Sequence, residues 1–195
     1  MTPSANIEPV TPPPAIVTSQ LAPQELKAVQ ISLQTSKGEI VVELNQKAAP
    51  VTVANFLRYV NAGFYDGTVF HRVIAGFMIQ GGRFTSNMVE KKTHTAIINE
   101  ASNGLKNERG TIAMARTPLP HSATSQFYIN HKDNAMLDYG TCDDGYGYTV
   151  FGKVIKGMEV VDAIAVSPTK MFEDEKSFPV QSITISKAAV VGGGV

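Results

Sequence analysis

From Ala28 the chain alternates strictly between apolar and polar positions, with Val29, Ile31 and Leu33 on one face and Gln30, Ser32 and Gln34 on the other. A period of two over this length is that of a half-buried strand. Ser36-Lys37-Gly38 signals a turn, and Ile40, Val42 and Leu44 then resume the alternation against Glu39, Val41 and Glu43. The pair reads as an antiparallel hairpin. The period changes after Ala49-Pro50, where Val53, Phe56, Leu57 and Val60 recur at helical spacing. Proline suits a first helical turn and Gly63 the position past a last one, so a helix of about three turns is predicted.

Beyond this helix the apolar runs are short and rich in β-formers: Thr68-Val73, Phe77-Gln80, Ala96-Ile98, Thr111-Ala115, Ser125-Asn130, Thr149-Ile155 and Val180-Ile185. Glycines at 76, 81, 82, 104, 110, 140, 145, 147, 152 and 157 punctuate them. Met158, Val161, Ile164 and Ala165 predict a second helix after Gly157. Many short strands with two helices predict a mainly β domain whose sheet closes, or nearly closes, into a barrel, because closure removes exposed edges.

Six of the 11 prolines (Pro3, Pro9, Pro12, Pro13, Pro14 and Pro23) precede this domain, without glycine or apolar periodicity. Residues 1–26 are therefore read as an extended tail or linker, 27–188 as the folded domain, and 189–195, ending in Gly192-Gly193-Gly194, as a flexible tail. With 17 basic and 17 acidic residues the formal charge is zero, which gives no field for non-specific nucleic-acid binding. No stretch approaches the roughly 20 apolar residues of a membrane span. Met1 is not followed by the basic and apolar segments of a secretory signal, so a cytoplasmic location is expected as the chain stands, or a periplasmic one if a leader has been removed. A monomer is the default expectation.

The four histidines, His71, His94, His121 and His131, are scattered without a second ligand at metal spacing, and Cys142 is the single cysteine. Ser122 beside His121 lacks a nucleophile elbow and an orienting acid, so hydrolysis is a minor alternative. Asp143-Asp144 lacks the spacing of a calcium loop, and Gly81-Gly82 reads as a turn or a close backbone approach. No metal or cofactor is expected. What remains is a set of strand residues. Arg72 lies in one run, Met78 and Gln80 share a face of the next after Phe77, and Gln126 and Tyr128 share a face of a third, with Phe127 and Ile129 opposite. One arginine, two glutamines and large apolar groups suit an extended peptide.

Phe70-His71-Arg72-Val73-Ile74-Ala75-Gly76-Phe77-Met78-Ile79-Gln80-Gly81-Gly82 closely resembles the cyclophilin signature. Gly110-Thr111-Ile112-Ala113-Met114-Ala115, followed by Ser125-Gln126-Phe127-Tyr128-Ile129, resembles its second block, and the similarity runs over about residues 29 to 187. The stretch from Asn99-Glu100 to Asn107, the run Met114-Ala115-Arg116-Thr117 and the loop from Asp138-Tyr139-Gly140 to Tyr148 look most like bacterial members. The resemblance implies a closed eight-stranded antiparallel β-barrel capped by two α-helices, with a surface groove that isomerises X-Pro bonds and assists protein folding. It implies Arg72 as the catalytic residue, Phe77, Met78, Tyr128 and Leu137 as the proline pocket, and Gln80, Ala115, Arg116 and Gln126 as peptide-binding groups.

Departures from the family pattern lie around that groove. Met136 stands where many eukaryotic members have a tryptophan that contacts cyclosporin, which implies weak binding of that drug. Tyr128 replaces a phenylalanine, adding a hydroxyl that needs a partner. Arg116 stands where asparagine is frequent, with a contact expected through its backbone, and Tyr148 matches a histidine position. The alternative reading of the same groove is a module that holds proline-containing segments of unfolded or folding proteins in the manner of a chaperone, with catalysis incidental.

Overall fold

The computed structural model describes residues 28–172 and 175–192. β1 (Gln30–Thr35) and β2 (Gly38–Leu44) form the expected hairpin, in register from Gln30 opposite Glu43 to Thr35 opposite Gly38. α1 (Pro50–Asn61) follows with Pro50 in its first turn and Val53, Phe56 and Val60 buried. Gly63 at φ +63° takes the left-handed position past its end, where its N–H bonds the Val60 carbonyl at 3.0 Å. No side chain of the helix's own segment caps its start. Glu100 does so from 48 residues away, accepting the Thr52 N–H at 2.8 Å and the Val51 N–H at 3.1 Å. A carboxylate is favoured there by the unpaired N–H groups and the helix dipole.

The chain continues through β3 (Thr68–Ile74), β4 (Met78–Thr85), β5 (Thr111–Met114), β6 (Phe127–Asn130), β7 (Val150–Lys156), α2 (Met158–Ala165), β8 (Thr169–Phe172), β9 (Glu175–Pro179) and β10 (Thr184–Gly192). Eight strands close an antiparallel barrel in the order β1-β10-β3-β4-β6-β5-β7-β2, and β2 returns to β1. β8 and β9 form a separate two-stranded ribbon. Among the described residues no helix is long and apolar enough to cross a membrane.

Period-two alternation sorts the strands of one side between two apolar clusters. Ile79, Ile112, Met114, Phe127, Ile129 and Phe151 join the main core, to which α1 and α2 add Phe56, Val60, Val161 and Ile164. Met78, Ala113, Tyr128 and Val150, one position off in each strand, form a second, smaller cluster. These strands are therefore buried on both faces, which is why all four residues of β6 are buried. The second cluster is the floor of the groove described below.

Several expectations are corrected. β10 runs to Gly192, so residues 189–192, read as a flexible tail, are paired to β1, with Val190 opposite Ile31 and Gly192 opposite Gln30. Without them the start of β1 would be a bare edge. The run Ala96-Ile98 makes one isolated bridge, Ile97 to Ala123, and β10 begins four residues later than the run from Val180 suggested. β8 and β9 were not foreseen, because Thr169, Lys170 and Met171 are exposed and show no alternation. Gly81 and Gly82 sit inside β4. Gly82, at φ +84°, marks a close approach, since a Cβ there would lie 2.8 Å from the Ser125 carbonyl and 3.0 Å from the Tyr65 ring. The proline-rich residues 1–26 lie outside the described residues.

Candidate functional site

Strand register brings the predicted residues together. Arg72 on β3 pairs with Gln80 on β4, Gln80 with Tyr128 on β6, Tyr128 with Ala113 on β5, and Ala113 with Val150 on β7. Directly paired residues share a face of a sheet, so this row crosses the face opposite the main core. Two residues along, Ile74, Met78 and Asn130 form a parallel row. A cleft of about 140 Å³ opens here, lined by Arg72, Phe77, Met78, Gln80, Ala115, Arg116, Tyr128, Leu137 and Tyr148. The Arg72 guanidinium carbon stands 5.9 Å from the centre of the Phe77 ring.

The glutamine pair is tied at one edge, where the Gln80 amide donates to Gln126 Oε1 at 3.1 Å. Gln126 is held in turn by its carbonyl, which accepts the Ala115 N–H at 3.0 Å. Met136 lies outside the cleft. It is 60% exposed and lines an adjoining hollow of about 500 Å³ together with Leu137, Thr141, Cys142, Asp143 and Asp144. Burial pushes the Cys142 thiol up, with Asp144 adding to the effect.

Tyr128 finds the partner its hydroxyl requires. It donates to Asn107 Oδ1 at 2.7 Å in a buried network in which the Asn107 backbone N–H and amide donate to Asp138 Oδ1 at 2.7 and 3.1 Å. Burial pushes the Tyr128 hydroxyl well above its ordinary value, with Tyr148 as the next cause. Tyr128→Phe is therefore expected to cost about 1 kcal/mol of stability, the worth of a lost buried hydrogen bond. Turnover should stay within about twofold, because the ring that faces the cleft is unchanged. Urea denaturation and steady-state kinetics on the one variant check both; a large loss of turnover without destabilisation refutes it.

Arg116 does more than its backbone contact suggested. Its side chain is only 4% exposed. Nε donates to the Gly147 carbonyl at 2.9 Å, one terminal nitrogen reaches Asp144 at 2.6 Å, and the other the Thr117 carbonyl at 3.1 Å. The guanidinium also lies over the Tyr148 ring at 4.5 Å. It thus fastens the loop from Tyr139 to Tyr148 against the cleft. Gly147 is required in that loop, since at φ +66° a Cβ would meet the Asp138–Tyr139 peptide at 2.5 Å. The Tyr146 N–H, followed by the Arg116 guanidinium, holds Asp144 below its ordinary value against the opposing effect of burial.

The minor alternatives are not assembled. Ser122 Oγ donates to the Leu119 carbonyl at 2.6 Å and accepts from Thr117, while His121 Nδ1 accepts the Asn99 N–H at 3.0 Å. Both serve the loop, with no serine–imidazole bond between them. Sequence reasoning did not single out Asn107, Asp138 or His131 as supports of the site. Their partners lie 21 to 55 residues away, so no local spacing reports them.

The chain as a whole is similar to known proteins. Residues 29–190 match the family described as cyclophilin type peptidyl-prolyl cis-trans isomerase/CLD. The chain is 53% identical over 163 residues to a peptidyl-prolyl cis-trans isomerase of Streptomyces antibioticus, covering 83% of this chain and 98% of that protein. It is 49% identical to peptidyl-prolyl cis-trans isomerase B of Escherichia coli, covering 80% and 99%. Among solved structures it resembles a cyclophilin type peptidyl-prolyl cis-trans isomerase of Cryptosporidium parvum, crystallised in the presence of the dipeptide Ala-Pro. That match has a TM-score of 0.69 and 25% identity, and covers 84% of this chain and 99% of the other.

Proposed function

The chain belongs to the cyclophilin-type peptidyl-prolyl cis-trans isomerases, and on that premise we propose that its groove holds an X-Pro segment across the row from Arg72 to Tyr128, with Arg72 as the catalytic residue. The protein is an isomerase, and proline-containing peptides are its ligands. The observation that carries the mechanistic reading is that strand register sets Arg72 in the lining of a small cleft that also presents the apolar side chains of Phe77, Met78 and Leu137.

The chemistry needs little else. Amide resonance gives the X-Pro bond a barrier of about 18–20 kcal/mol, because nitrogen lone-pair density is shared with the carbonyl. At the twisted transition state that density returns to a pyramidal nitrogen, which then accepts a hydrogen bond it scarcely accepts when planar. Arg72 donating to this nitrogen binds the transition state in preference to either ground state. Phe77, Met78, Tyr128 and Leu137 hold the proline ring. Gln80, Gln126, Ala115 and Arg116 hold the flanking backbone, so one side of the bond turns against a fixed other side. An acceleration of about 100,000-fold requires about 7 kcal/mol of such differential binding.

Exchange NMR on a short Ala-Pro peptide tests the proposal: the wild-type protein speeds cis–trans exchange. A folded protein that binds the peptide without speeding exchange overturns it in favour of the binding-module reading.

Cyclosporin is expected to bind weakly, because Met136 is exposed beside the cleft where a flat indole would otherwise pack. Met136→Trp should tighten binding about tenfold, the worth of one well-buried aromatic contact. Titration by fluorescence or calorimetry measures it, and an unchanged affinity discounts the position.

A further inference from the structure

Phe77 enters the cleft from a tight turn between β3 and β4, in which its N–H bonds the Ile74 carbonyl at 3.0 Å and Gly76 takes φ +73°. The Gly76 N–H does not close the turn. It donates across to the next strand connection, to Nδ1 of His131, at 2.9 Å. His131 also grips Phe77 directly, its backbone N–H donating to the Phe77 carbonyl at 2.9 Å.

The ring is itself held in the form this bond needs. Its Nε2 lies 3.2 Å from Asp162 Oδ1 on α2, and Arg109 anchors the other Asp162 oxygen at 2.8 Å. Arg109 holds the Asp162 carboxyl below its ordinary value against the opposing effect of burial. A carboxylate facing Nε2 keeps the proton on that nitrogen and leaves the Nδ1 lone pair to accept. Arg109 also donates to the His131 carbonyl at 2.6 Å.

We propose that His131 is a positioning residue for isomerisation, latching the Gly76–Phe77 turn to α2 and so fixing the Phe77 ring that walls the proline pocket. The inference rests on the reading that this cleft is the peptide site. His131 does not touch the reacting bond. Its removal loosens a wall that contacts the proline in ground and transition states alike, so KM rises while kcat holds.

Three variants of the full chain separate the latch from general packing. Asn offers an oxygen near the place of Nδ1, Gln offers a group near Nε2, and Phe offers neither. His131→Phe and His131→Gln should raise KM about fivefold with kcat within about twofold, the loss expected for one fixed hydrogen bond. His131→Asn should keep KM within about twofold. The Gly76 amide proton, read by NMR, should shift upfield in the Phe and Gln variants and stay near its wild-type position in the Asn variant.

If Gln performs as wild type, if Asn fails as Phe does, or if KM simply follows thermal stability across the three, the latch is overturned. The Gly76 amide shift does not depend on turnover. A latch seen there together with an Arg72→Ala protein of undiminished activity would instead overturn the reading of the cleft.

Discussion

Arg72→Ala is expected to lower kcat/KM about 100- to 1,000-fold, the loss typical of removing one preorganised transition-state donor. Peptide affinity should change less than about threefold, because the planar ground-state nitrogen gives Arg72 little to bind and the remaining cleft walls stay in place. Arg72→Lys should recover little of the rate. An ammonium keeps the charge but lacks the planar fork of donors that a strand-mounted guanidinium extends over the cleft. Exchange NMR gives the rate, and titration of the same labelled peptide gives the affinity. Equal losses in both would make Arg72 a binding group, and the groove a holding site in which catalysis is incidental.

The second large effect is on folding. Phe127 is fully buried and meets Phe56, Tyr65 and Phe70 edge-on, with ring centres 5.6, 5.4 and 6.1 Å away. Phe127→Ala should cost about 3–5 kcal/mol, since an aromatic cluster pinned by a closed sheet cannot collapse into the space. Urea denaturation would show it as a lowered midpoint with an unchanged slope. The folded fraction should still bind peptide with nearly wild-type affinity, because Tyr128 on the same strand belongs to the opposite cluster and Gln126, just before the strand, is tied to Gln80. A loss below about 1 kcal/mol would mean that the interior adapts more freely than a close-packed core does.

That opposition between Phe127 and Tyr128 is legible in the chain. Alternation alone separates Met78 and Gln80 from Ile79, and Gln126 and Tyr128 from Phe127 and Ile129. The barrel class, both helices and the first hairpin follow from the same pattern, whereas the order of the strands round the barrel does not. The resemblance to a family supplied what periodicity could not, namely that Arg72 and Tyr128 meet. Two kinds of feature stayed hidden. β8 is exposed up to Phe172 and is joined to β9 by strand pairing and by the tilted contact of Phe172 with the buried Phe178 at 4.9 Å, so no hydrophobic period announces the ribbon. The polar supports, Glu100 capping α1, Asn107 beneath Tyr128 and Arg116 under the Tyr148 loop, each join segments far apart in sequence. Their pairing is a property of the closed sheet and exists only once it has formed.

The seam between β1 and β10 sets a condition on synthesis. The second strand made after Ala28 can pair at once with the first, yet β1 waits for its other neighbour until Thr184–Gly192 has left the ribosome. Until then the nascent sheet has two open edges, at β1 and β3, and both are closed by β10. Closure therefore waits for β10, and long-range pairing of this kind is slow and exposes edges to other chains while it is pending. An enzyme that isomerises X-Pro bonds is, by its own topology, a slow closer of its own sheet.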